Sequence, residues 1–352
     1  MSNKLPKEFV DAHHHFICTS SNGSTFHKFM NKLIPNFSYV AKDYQRDVIV
    51  PLQNAGIKFG VSVHMECIPD NGLLEVQWIT SSFINPPSSD SSIKCIIASC
   101  DLSQDISVVE SELQTLSEIK YVKGVRWILD CVGKFDSGKT ATHIATTRHD
   151  GIDYLRGSDG GYEGHAIAEF ERGFASLEKY NFTFDLQCAP AQLLAASKLC
   201  AKYPKINVVI DHMGKPRSLL GADTEENRNN LTPDEAELTV WREGMKALAQ
   251  NKNVYVKISM LGYIIPGWIR TKERLALMRS LVRETVEMFG PERCMIASNY
   301  WKDASMSDSD GMSDVGPDVV RLLELLYEFL NDYSDHDLDH IFSRTASKFY
   351  NL

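Results

Sequence analysis

At 352 residues the chain is long enough for two or three ordinary domains, or for one large barrel carrying insertions. Apolar residues make up 43% and charged residues 24%, which excludes disordered, collagen-like and low-complexity classes. Lys and Arg total 37 against 46 Asp and Glu, a net charge of -9 with neutral histidines. Such a chain repels phosphate, so the expected partner is a small molecule rather than nucleic acid or an anionic membrane, and a homo-oligomer is left open.

No run approaches roughly 18 consecutive apolar residues, and the opening MSNKLPKEFVDAHHHF has no charged stretch followed by an apolar one. A membrane span and a secretory signal are not expected, and the expected location is cytoplasmic. The eight cysteines, at 18, 67, 95, 100, 131, 188, 200 and 294, include no C-x-x-C pair. They read as buried thiols of a reducing compartment, without a structural zinc finger.

In chain order, short runs rich in Val and Ile predict strands at 9–16, 58–67, 93–99, 121–129, 182–187, 206–212, 253–259 and 293–298. Helix-period segments fall near 44–55, 73–84, 106–116, 164–180, 190–203, 234–251, 273–289 and 318–332. In the last, Val319, Leu322, Leu323, Leu326, Phe329 and Leu330 form a stripe at i, i+3, i+4 spacing. Strands without strict in/out alternation, each followed by a helix, imply parallel strands covered on both faces. Eight such units predict an α/β fold, a single (β/α)8 TIM barrel over residues 1–352. No G-x-G-x-x-G follows the first strand, which counts against a dinucleotide fold. The Gly-rich GSDGGYEG at 157–164 reads as part of a long surface loop. Four long stretches separate strands from helices, at 17–43, 131–163, 213–233 and 300–317. Without them the chain is close to the roughly 250 residues of a plain barrel, so the surplus is expected as loops on the C-terminal face.

That face is where such barrels keep their active sites, and it selects the polar residues that matter. The first strand ends Asp11-Ala12-His13-His14-His15-Phe16. With period two, His13 and His15 share one face as a ready chelate, while His14 points toward the helices. The sixth strand ends in Asp211-His212, unexpected after four apolar residues unless it lines a site. The eighth ends in Asn299, with Asp303 four residues on. Arg126 ends the fourth strand and offers a fixed fork for a carboxylate, or equally a structural ion pair. Gln187 ends the fifth strand, and the second carries His64 and Glu66. Each of these could also be a satisfied polar group without a role.

FVDAHHHF, VKGVRW, FDLQCAPAQL, VVIDHMGKP, VYVKISML and ERCMIASNYW follow one another along the chain, and IFSRTASKFYNL closes it. Together they resemble the amidohydrolase superfamily, and within it the amidohydrolase-related (family 2) group that includes sugar and dicarboxylate lactonases. The resemblance implies metal ligation by His13, His15 and His212, with His212 also catalytic. It implies one divalent ion, zinc by preference, or none. Members that bind a metal place an acidic ligand and base at the end of the eighth strand, where this chain has Asn299. An amide ligates weakly and cannot accept a proton at neutral pH. Arg126 stands where other branches have a residue bridging two metals, so a two-metal site is not expected.

The reading is a metal-assisted hydrolase of a small lactone or related ester-like bond in a polar, acidic substrate. Arg126, Gln187 and His64 would orient that substrate, and Asp303 would stand in for the missing base beside Asn299. The alternatives are a non-oxidative decarboxylase of the same superfamily and a catalytically impaired relative that binds a ligand.

Overall fold

A computed structural model of the chain describes residues 5–20, 26–85, 91–131, 152–157, 165–217, 219–221, 229–300 and 318–352. Asp303, nearly all of the Gly-rich 157–164 stretch and most of the loops at 131–163 and 300–317 lie outside them.

Eight parallel strands run in the order β1 (Glu8–His14), β4 (Lys58–Met65), β5 (Ile93–Ser99), β6 (Val122–Arg126), β7 (Thr183–Leu186), β8 (Val208–Ile210), β9 (Val254–Ile258) and β10 (Cys294–Ile296). Two short strands, β2 (Ile17–Cys18) and β3 (Ser38–Tyr39), pair antiparallel within the first long connection. The barrel closes where the Asn299 N–H donates to the His13 carbonyl at 2.8 Å and His14 bridges to Tyr300. The (β/α)8 architecture is therefore present, with each predicted strand in its expected place.

The missing alternation has a plain cause, because both faces of the strands are buried. Val10, Ala12, Val63, Met65, Cys95, Ile97, Val209 and Met295 fill the interior with Phe349 and Tyr350 from the last helix. On the opposite face Ile96, Val125, Phe184, Val208 and Ile258 pack against Leu113, Phe174, Trp241 and Val282 of the surrounding helices. The stripe predicted near the end of the chain lies on the helix Val319–Phe329, where its residues are buried. The Asp318 carboxylate caps that helix by accepting the Arg321 N–H at 2.9 Å.

All eight cysteines are free, and seven are buried as expected, while Cys18 is partly exposed. Among the described residues no helix is long and apolar enough to cross a membrane.

Candidate active site

A register change in the first strand aims the histidines. Asp11 pairs with Ser62 and His14 with His64, so β1 spends three residues where β4 spends two. The extra residue reverses the phase of the pleat. Val10 and Ala12 face the barrel interior before it, and His13 and His15 do so after it. His14 turns toward the helices, its Nε2 3.0 Å from Ser62 Oγ and its ring stacked on Tyr44 at 4.3 Å. His64 shares that outer side, 5.9 Å from the His14 ring, where its Nδ1 accepts the Phe16 N–H at 3.3 Å. The structure thus does not bring His64 to the interior cluster.

Inside the barrel the His13 and His15 Nε2 atoms lie 3.1 Å apart. The sixth-strand histidine joins them, with the His13 and His212 ring centroids 5.0 Å apart. The partners of the outer nitrogens are protein groups: His15 Nδ1 donates to the Met65 carbonyl at 3.0 Å, and His212 Nδ1 is 2.8 Å from Ser259 Oγ. Burial holds all three imidazoles neutral. It pushes the His13 pKa down to about 3, helped by the neighbouring Lys257 charge, and takes His15 and His212 well below their ordinary value.

Beneath this cluster sits a buried ionic network. The Lys257 ammonium, fully buried, contacts the Asp185 carboxylate, lies 3.1 Å from Asp211 Oδ1 and 3.2 Å from His13 Nδ1. Tyr350 closes it from below by donating its hydroxyl to Asp185 Oδ1 at 2.8 Å. Burial raises the Asp185 carboxyl, while Asp211, although equally buried, is held well below the usual carboxylate range by Lys257 and His13. Arg126 reaches the same Asp211 from the other side, Nη1 to Oδ2 at 3.3 Å. Its Nε donates to Glu66 Oε1 at 2.6 Å, its Nη2 to the Glu66 carbonyl at 2.6 Å, and its Nη1 to Gln187 Oε1 at 3.2 Å. Gln187 in turn donates to Asp130 Oδ2 at 3.1 Å. Arg126 and Gln187 therefore belong to one network with Glu66 and Asp211.

The chain is bent hard at this mouth. His212, Met213 and Lys215 after β8, Met260 after β9, Asn299 after β10 and Ile68 after β4 all take φ between 51° and 55°. Non-glycine residues in the left-handed region are uncommon, a β-branched one most of all, and such strain gathers at functional sites. Here the turn after β8 is held by Trp241, whose indole N–H donates to the Met213 carbonyl at 2.7 Å.

The donor set suits one divalent cation. Among the described residues, His13, Asp211 and His212 each offer a ligand atom within 4.8 Å of the others. Two nitrogens bound to one tetrahedral zinc at about 2.0–2.1 Å stand roughly 3.3 Å apart, close to the 3.1 Å between His13 and His15. Neutral, buried imidazoles with anchored outer nitrogens are the form that binds. Two features escaped the sequence reading. Lys257 had no role there, although a lysine inside the apolar run VYVKIS was a visible signal. The contact between Asp211 and His13 had no signal, since 198 positions of chain separate them.

Barrel and site together define a (β/α)8 protein with a histidine cluster at the C-terminal mouth. The chain belongs to the amidohydrolase family: residues 141–352 match the family's sequence model, described as Amidohydrolase. It is 30% identical over 144 residues to an uncharacterized protein, y4mH, of Sinorhizobium fredii, covering 41% of this chain and 42% of that one. It is 29% identical over 136 residues to the L-fucono-1,5-lactonase of Burkholderia multivorans, covering 38% and 42%. The matches thus span about two fifths of these curated relatives, at 42% of each. In fold it resembles a Burkholderia multivorans amidohydrolase solved with bound zinc, at a TM-score of 0.66 and 17% identity over 98% of this chain and 99% of that one.

Proposed function

We propose that this protein is a metal-assisted hydrolase that opens a small lactone, or a related ester-like bond, in a polar and acidic substrate. The observation that carries the reading is the convergence of the His13 and His15 Nε2 atoms at 3.1 Å, beside His212. Membership of the amidohydrolase family and the likeness to an L-fucono-1,5-lactonase support it.

His13, His15 and His212 would hold one divalent ion, zinc by its preference for imidazole. Bound there, the ion supplies Lewis acidity that polarises a carbonyl and acidifies water. The protein's own groups do the rest. Met65 and Ser259 fix the ring orientations of His15 and His212. Arg126 and Gln187 orient the substrate's oxygens from the wall of the site, with Glu66 and Asp211 holding the guanidinium in place. Asn299 places an amide at the mouth that can donate to substrate but cannot take a proton. Asp303, four residues further along the chain and outside the described residues, would take the proton of the attacking water. A lactone needs less leaving-group assistance than an amide, which suits a site built without a strong base on the eighth strand.

The test is a pH-stat survey of sugar and dicarboxylate lactones with protein loaded with Zn2+ or Mn2+, beside the His13→Ala and His212→Ala variants. Ring opening that both variants abolish is expected. No opening of any lactone, or an activity indifferent to both substitutions, would sink the proposal. CO2 release from an aromatic acid in the same preparation would assign a decarboxylase instead.

A further inference from the structure

A second pair of histidines lies outside the barrel mouth, near the end of the chain. His336 belongs to the helix Asp335–Asp339, and His340 opens the π-helical turn His340–Arg344 that continues it. Four residues apart on a helix, two side chains stand on one face, one turn above the other. The two ring centroids are 4.7 Å apart, with the rings tilted by 53°. Two imidazoles bound to one divalent ion at about 2.0–2.1 Å, with roughly 90–109° between the bonds, place their centroids about 4.5–5.2 Å apart. The observed spacing falls inside that interval.

The rings are also open to a cation. The His336 side chain is 61% exposed, and its Nδ1 faces the Asp337 carboxylate at 3.8 Å, which leaves Nε2 to solvent. A carboxylate behind a ligating imidazole fixes the ring and raises its basicity. The His340 Nδ1 is buried, so Nε2 is again the outward nitrogen. Partial burial, and then the charges of His336, Arg344 and Lys348, hold the His340 pKa below its ordinary value against the pull of Glu292. The ring is therefore neutral at pH 7, the form that binds metal. Of the carboxylates on this helix, Asp335 is answered by Lys7 and Asp339 by Arg344, while Asp337 has no Lys or Arg pair among the described residues.

We propose that His336 and His340 form a surface site for a divalent transition cation, zinc by its preference for imidazole. Among the described residues no third His, Cys, Asp or Glu joins the two rings, so water completes the shell and the site is weaker than one with three protein ligands. The ion ties the helix Asp335–Asp339 to the π-helical turn, whose Ile341 and Phe342 are buried. That turn leads into Thr345–Tyr350, the segment that brings the Tyr350 hydroxyl to Asp185 beneath the candidate active site. The site stands whether or not the barrel histidines hold a metal.

The experiment is equilibrium dialysis of the chelator-stripped full chain against micromolar Zn2+, with millimolar Mg2+ present to occupy carboxylates. Wild-type protein should take up one equivalent more than His336→Ala or His340→Gln. The count is two against one if the barrel histidines also bind zinc, and one against none if they do not, so the two readings fail separately. His336 is exposed, so His336→Ala decides the matter if His340→Gln does not fold. Equal uptake by the wild type and His336→Ala overturns the proposal. So does an extra equivalent that Mg2+ displaces, because that would assign the ion to the carboxylates rather than the imidazoles.

Discussion

Asp11 accepts two hydrogen bonds from Ser298, the backbone N–H at 2.8 Å and the hydroxyl at 2.5 Å, and so ties the first barrel strand to the eighth. The same carboxylate accepts the Tyr44 hydroxyl at 2.6 Å and the His13 N–H at 3.3 Å. It therefore holds the closing seam and the start of the H-x-H at once. Bonds to a buried charged group are worth about 1.5–3 kcal/mol each, and removing the acceptor strands its donors. Asp11→Ala should lose about 3 kcal/mol or more in urea denaturation. A loss under about 0.5 kcal/mol, typical of surface changes, would show that the seam closes without it.

Zinc should stabilise the folded chain, by about 2.7 kcal/mol at a free concentration one hundred times its dissociation constant. Ser259 positions His212 from behind, so Ser259→Ala should weaken zinc binding about 10–100-fold without abolishing it. Calorimetric melting with and without zinc reads both effects. Unchanged affinity in Ser259→Ala would remove His212 from the ligand set.

His14 makes a pH prediction. Burial pushes its pKa down to about 3 in the folded protein, against 6.5 when unfolded. The contribution is therefore intact above pH 6.5 and is lost as pH falls toward 3, because the unfolded chain takes the proton. Between pH 7 and pH 5 this one ring should cost about 2 kcal/mol. In chelator-treated protein, His14→Phe keeps a ring against Tyr44 and should show a correspondingly smaller loss of stability over that interval. Parallel pH profiles for the two proteins would contradict this.

Asn299 takes φ 51°, a conformation that Asp also tolerates, so Asn299→Asp tests chemistry without straining the backbone. A carboxylate there offers a general base, worth about 10²–10⁴-fold in favourable cases. The variant should raise kcat for lactone opening at least tenfold. A fall in kcat would show that the amide is adapted to the task.

Much of the scaffold was legible along the chain. Val and Ile runs at strand spacing, each followed by a helical stripe such as Val319–Phe329, specify parallel units whose two faces are both apolar. Local sequence suffices there because the signal, periodicity of apolar side chains, is itself local. His13 and His15 were legible for the same reason, being two residues apart. His64 was not: its place depends on which pleat phase β4 adopts beside β1, and the bulge between Asp11 and His14 belongs to the pair of strands. Arg126 read equally as a fork for a substrate carboxylate and as a structural ion pair, and its partners Glu66, Gln187 and Asp211 lie 60, 61 and 85 residues away.

By itself, then, the sequence determined a length that one barrel with long loops can absorb, the eight β/α units, and the residue types at the strand ends. Closure of the barrel decided the rest. It brought Lys257 to His13 across 244 residues of chain, stacked opposite charges in a space that excludes water, and made the direction of each hydrogen bond depend on its neighbours. Those contacts join residues far apart in the sequence, so no local pattern of residue types encodes them.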